Sequence, residues 1–287
     1  MLDAKLCSSV ERLATVLHAT PDAAMGREWV WGDYNEEGVR FTGFVAYGHM
    51  RELAALVAAE RVRIGSAPTL AQRILAQYQL AYRDMHALML GIDAASAEIA
   101  PADGEWSLHQ VVTHMVEADV GFYAMVQANI ERHRNGIWSA EKIRDAEYEH
   151  ILGLEEPLMA IINGPLDGLY LFHTEIHARI MADLAQITDS EMELPARFWE
   201  EALFPIRFRL QRFEAHLRQH SIQLESTLIG IGRPPTEGSR IARLLYAGLA
   251  ELEGCLIGAP ETAAAAQTEA GEVIAEIATA AEQALRP

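Results

Sequence analysis

The chain has 287 residues, half of them hydrophobic, and 41 acidic against 23 basic side chains give a formal net charge of −18. That length allows one large or two ordinary domains with ample apolar material for a core, and the charge repels phosphate backbones and anionic lipid, which argues against nucleic acid or a membrane surface as partner. No signal peptide and no apolar run of about 18 residues stands out, and Cys7 and Cys255, the only cysteines, lie far apart and outside any CxxC pattern, so a reducing cytoplasm is the expected location.

Apolar stripes and capping signals predict helices over residues 3–19, 38–62, 69–91 and 107–133, a short one near 139–152, then 167–187, 204–229, 236–257 and 262–284. Thr69 with Gln72 and Ser107 with Gln110 have capping-box spacing, and Gly91 and Gly258 read as helix stops. Alternation over strand lengths is nearly absent, so the expected fold class is all-α.

The helix from residue 107 carries a stripe of Val111, Met115, Ala118, Phe122 and Val126, with His114 on its flank in the second turn. The helix from 204 carries Leu210, Phe213, Leu217, Leu224 and Leu228, with His220 inside the stripe and His216 at its edge. Side chains four apart share one helix face, so His216 and His220 can both reach one ion if a third ligand comes from a facing helix. Three neutral imidazoles from two helices can hold a divalent metal and leave a position open for a water or another ligand. A second pair, His173 and His177, lies along the stripe of Leu169, Phe172, Ile176, Ile180 and Leu184 and reads as packing or as support for a neighbouring site.

Other chemistry finds little footing. A di-iron carboxylate bundle needs two Glu-x-x-His motifs, and only Glu147 with His150 fits. There is no GxSxG elbow, Walker loop or GxGxxG. Trp29, Trp31 and Tyr34, and later Phe198 and Trp199, read as wedges between helices.

The stretch WSLHQVVTH, with His114 eight residues after Trp106, followed after a long gap by the AHLRQH helix at 215–220, resembles the DinB/YfiT-like family over roughly residues 68–230. The resemblance implies an up-and-down four-helix bundle built from the helices starting near 69, 107, 167 and 204. It implies His114, His216 and His220 as ligands of a divalent metal, zinc or nickel. It also implies a divalent-metal-dependent enzyme of thiol S-transferase or hydrolase type, acting on a small molecule with a metal-activated thiol or water and with a low-molecular-weight thiol as candidate partner. The alternative is a non-catalytic, stress-associated bundle whose metal site is structural or vestigial. Beside the three histidines, Glu117, one turn beyond His114, is the candidate acid/base group, and Arg218, between the two ligands of the last helix, is the candidate holder of an anionic substrate group.

An internal repeat at an offset of 167 residues pairs residues 39–93 with 206–260 without gaps, clearest as IGSAPTLAQRI against IGRPPTEGSRI. Eleven of 55 paired positions are identical, against about one in sixteen for unrelated helices, which points to duplication. His49 pairs with His216, but Leu53 stands for His220 and Ala281 for His114, so one complete ligand set is expected. The expected domains are therefore residues 1–66, amino-terminal helices repeating 168–233, residues 67–232, the metal-binding bundle, and residues 233–287, carboxy-terminal helices repeating the first bundle helix onward. The duplicated ends are expected to meet as a second, degenerate bundle against the first, giving a monomeric pseudo-dimer or a homodimer of such chains.

Overall fold

The computed structural model describes residues 2–34 and 37–286. The long helices are α1 (Ala4–His18), α2 (Arg40–Arg63), α3 (Leu70–Leu88), α5 (Leu108–Arg134), α8 (Leu166–Leu184), α9 (Ile206–Gly230), α10 (Glu237–Leu256) and α11 (Ala264–Leu285), with short helices α4 (Ala94–Ala97), α6 (Asp145–Leu152) and α7 (Leu158–Ile162) between them. Two residues each of β1 (Pro195–Ala196) and β2 (Phe204–Pro205) form the one named sheet among the described residues, so the all-α expectation holds. No described helix is long and apolar enough to cross a membrane.

Capping sets the starts of the helices that matter most. Ser107 donates its N–H to Gln110 Oε1 (2.9 Å) while Gln110 donates its N–H to Ser107 Oγ (3.3 Å), a reciprocal box that satisfies two otherwise orphaned donors and fixes where α5 begins. Thr69 and Gln72 make the same exchange ahead of α3.

The expected helix at 139–152 is shorter than its pattern suggested. Only Asp145–Leu152 is helical, because the buried Arg132 draws residues before it into an irregular segment, donating to the carbonyls of Glu141 (2.9 Å) and Lys142 (3.3 Å) and to both oxygens of Glu147 (2.8 and 2.7 Å). That pairing holds the Glu147 carboxyl down to about 2. The four- and five-residue helices α4 and α7 were too short for any periodicity to announce.

Two compact units divide the chain. One comprises Met1–Pro68, Gln79–Ile92 and Gly232–Pro287, the other Thr69–Tyr78 and Asp93–Ile231. Relative to the expected segments, residues 79–92 group with the terminal helices. The side chains say why: Gln79 and Arg83 bind Glu253, and Asp84 takes Arg243, all in the first unit, whereas Tyr78 binds Asp119 in the second.

In the first unit α1, α2, α10 and α11 surround a core that includes Leu6, Val10, Leu13, Leu17, Met50, Val57, Leu245, Leu249, Ile274 and Ile277, all fully buried. Gly238 lets α10 close on α1: a Cβ there meets the Leu17 carbonyl oxygen at 2.0 Å. Gly238→Ala is expected to force these helices apart and lower stability by roughly 1–3 kcal/mol in denaturant titrations; an unchanged midpoint and slope overturns this packing account.

In the second unit α5 packs on α9 and α8. The β1–β2 hairpin is tied to α5 by Asn129, which donates to the Arg197 carbonyl and accepts from the Arg197 N–H, each at 2.9 Å. It is tied to α9 by the buried Arg209, whose guanidinium pairs with Glu200 and lies 4.1 Å from the Phe198 ring centre and 4.8 Å from that of Phe204.

Candidate metal centre

The register of α5 on α9 brings His114 opposite His216 and His220. One ring nitrogen from each lies within 4.8 Å of the others, and the Nε2 atoms of His114 and His216 are 3.2 Å apart. A tetrahedral ion bound at about 2.0–2.1 Å holds its nitrogens about 3.3 Å apart, which the His114–His216 separation already matches, and the His220 donor lies within 4.8 Å of both. Two facing ring nitrogens at this distance satisfy each other only if one bears the proton, whereas an ion satisfies both.

The state of the rings suits the same role. Burial, helped by the neighbouring His220, pulls the His114 pKa below its ordinary value, and Glu117 partly opposes this. Burial pulls His216 down to about 4, with His220, His114 and Arg212 adding to the effect. Both are therefore neutral at neutral pH, as ligands must be. On His220, Nδ1 faces Gln223 Oε1 at 2.8 Å. An amide oxygen only accepts, so Nδ1 carries the proton and the Nε2 lone pair is left for the ion. Gln223, one turn beyond the ligand, was not singled out in the sequence, although its i+3 spacing is a local signal. Gln223→Ala is expected to lower zinc affinity roughly 10–100-fold in competition titrations against a chelating dye; unchanged affinity shows that the tautomer needs no such help.

Aromatic groups enclose the cluster unevenly. His216 and His220 are 8% and 6% exposed, while His114 is half-buried and Trp106, itself 41% exposed, lies edge-on to its ring at 5.3 Å. Phe122 meets the His216 ring edge-on at 5.5 Å, and the hairpin residue Trp199 stacks on Phe122 at 5.8 Å.

The remaining sequence candidates separate. Glu117 is exposed and close enough for its charge to act on His114. Arg218 is not brought to the cluster: it stands about 200° round the helix from each ligand, and its Nε donates to Glu214 (3.0 Å) on the surface. His173 and His177 stay outside the three-histidine group. His173 instead meets a residue the sequence reading missed, the fully buried Asp119, whose Oδ2 accepts from His173 Nε2 (3.0 Å) and from the Tyr78 hydroxyl (2.7 Å). Burial raises the Asp119 pKa, and these two partners pull it back. Asp119→Ala strips a buried histidine of its carboxylate and is expected to cost roughly 3–5 kcal/mol in chemical denaturation; a loss under 1 kcal/mol shows the pair to be dispensable. The chain's thiols take no part in the cluster, and both belong to the other unit: burial pushes Cys7 up to about 11 and raises Cys255 too.

Fold and cluster together define a helical-bundle protein with three histidines placed so that they can hold a metal ion. The DinB superfamily model matches residues 77–224, more than half of the chain, and the protein belongs to that family. No curated protein and no solved structure is matched.

Proposed function

We propose that the protein is a divalent-metal-dependent enzyme of thiol S-transferase or hydrolase type, acting in the cytoplasm on a small molecule, with zinc or nickel held by His114, His216 and His220. The observation that supports this most directly is the uneven burial of the cluster. The α9 ligands are sealed and His114 is not, the arrangement of a site that keeps a position open for reaction rather than one closed for structure. When bound, the ion supplies Lewis acidity, lowering the pKa of a coordinated water or thiol toward neutrality. The chain's own groups do the rest. Gln223 holds the proton of His220 on Nδ1, Trp106 and Phe122 keep water from the flanks of the rings, and Glu117, exposed beside His114, accepts or returns a proton at its carboxylate.

We also propose that the terminal helices are a degenerate copy of the central ones, with one metal per chain as the consequence. At the 167-residue offset α2 coincides with α9 and α10 with α3 to within a residue at each end. Thr69 and Thr236 accept at the same helix starts, and the left-handed glycines pair, Gly65 with Gly232 (φ 72° and 80°) and Gly91 with Gly258 (φ 72° and 78°). His49, at the place of His216, meets Trp31 edge-on at 5.9 Å instead of other histidines.

Elemental mass spectrometry of tag-free protein is expected to find close to one equivalent of zinc or nickel, lost in His220→Ala. No metal after reconstitution with either ion overturns the metal reading. In the cobalt-substituted protein, a visible spectrum that shifts on adding a small thiol supports the open, catalytic site; a spectrum that no thiol or anion moves assigns the ion a structural role.

A further inference from the structure

Four arginines lie in the first four turns of α9, and three of them are paired or lie outside the cluster face. Arg207 binds Glu193, Arg209 is buried against Glu200, and Arg218 binds Glu214. Arg212 differs. It stands four residues before His216, on the same face of the helix, and among the described residues no hydrogen bond or ion pair holds its guanidinium. It is exposed, 5.8 Å from the Phe122 ring centre, and its charge reaches His216 and Glu200. In a chain with a net charge of −18, an exposed cation held by no hydrogen bond or ion pair beside a candidate reaction centre is a natural seat for an anionic group.

The same ring, Phe122, carries Trp199 at 5.8 Å with the planes 26° apart. Trp199 is 54% exposed, a large cost for an indole that merely fills a gap. Its placement is enforced: the hairpin that bears it is clamped by Asn129 from α5 and by Arg209 from α9. An exposed indole and an exposed guanidinium are thus both seated on the buried Phe122 ring, which itself meets His216. Flat π-systems stack on indole, and guanidinium binds oxyanions while leaving room for an aromatic neighbour.

We infer that Trp199 and Arg212, both seated on the buried Phe122 ring, form a binding subsite for an aromatic anion, with the ring of the substrate against Trp199 and its carboxylate or sulfonate on Arg212. Its position beside the histidines rests on the proposed reaction centre, but binding to the patch does not require a metal. The Arg212 charge also acts on Glu200, whose Oε1 is paired with the buried Arg209.

The test uses the full chain, both metal-free and zinc-loaded, and follows 2-naphthalenesulfonate, a poor metal ligand, and its uncharged methyl sulfone by ligand-observed NMR titration. Saturable binding of the sulfonate is expected in both forms. Arg212→Gln is expected to weaken the sulfonate roughly tenfold and leave the sulfone unchanged, and Trp199→Ala to weaken both ligands roughly tenfold. Arg207→Gln, on the same helix but paired with Glu193, is expected to bind like the parent. Failure of the sulfonate to saturate, or equal binding by the parent and Arg212→Gln, overturns the subsite. A protein that takes up neither zinc nor nickel yet binds the sulfonate through Arg212 overturns the metal reading and leaves the subsite standing.

Discussion

The register of α5 against α9 is the constraint on which the histidine cluster depends. Val111 and Met115 on one helix and Phe213 and Leu217 on the other are fully buried, but apolar packing is not directional, and a slide of one turn, about 5.4 Å, costs such a seam little if volumes still match. The same slide carries His114 out of reach of its partners. Against its other neighbours α5 is held by a polar contact: Asp119, five residues further along α5, accepts at one oxygen from both Tyr78 of α3 and His173 of α8. A buried carboxylate without its donors is costly, so α5 keeps the position at which α3 and α8 both reach that oxygen, and α9 presents His216 and His220 to an α5 already fixed against two other helices.

How far the sequence discloses this depends on the range of each interaction. The His216–His220 spacing and the capping box at Ser107 are local, so their outcome follows from helix geometry. The contribution of His114 was legible only through the motif joining WSLHQVVTH to AHLRQH, since no spacing rule links residues a hundred apart. Arg218 was favoured for lying between the two ligands in the chain, yet two residues on a helix are nearly opposed in angle; Arg212, one turn before His216, is the arginine that shares their face. Asp119 was illegible because an aspartate within an apolar stripe looks like an exposed residue until Tyr78 and His173 arrive from other helices. Residues 79–92 continue a helix without interruption, so nothing in their pattern tells that their partners, Glu253 and Arg243, lie in the terminal segments.

The hairpin at 195–205 shows how a segment without regular structure becomes precise. Its strands are two residues each, too short to hold themselves. Its order comes instead from two buried polar side chains donated by the flanking helices, Asn129 and Arg209, each bonded to the hairpin's backbone or carboxylate. A helix-borne clamp of this kind lets the intervening side chains vary without loosening the loop, which is where differences in ligand preference are most easily accommodated.

The burial of Cys7 and Cys255 has a consequence for the economy of sulfur in this protein. The Cys7 thiol, pushed up to about 11, is almost wholly protonated at neutral pH and is a poor nucleophile, and burial moves Cys255 in the same direction. Alkylating agents and mixed disulfides therefore find little thiolate to attack on the chain itself. On the proposed thiol-transferase reading, the sulfur nucleophile comes from a separate small molecule, so that the redox state of the dissolved thiol pool sets how much of it is available.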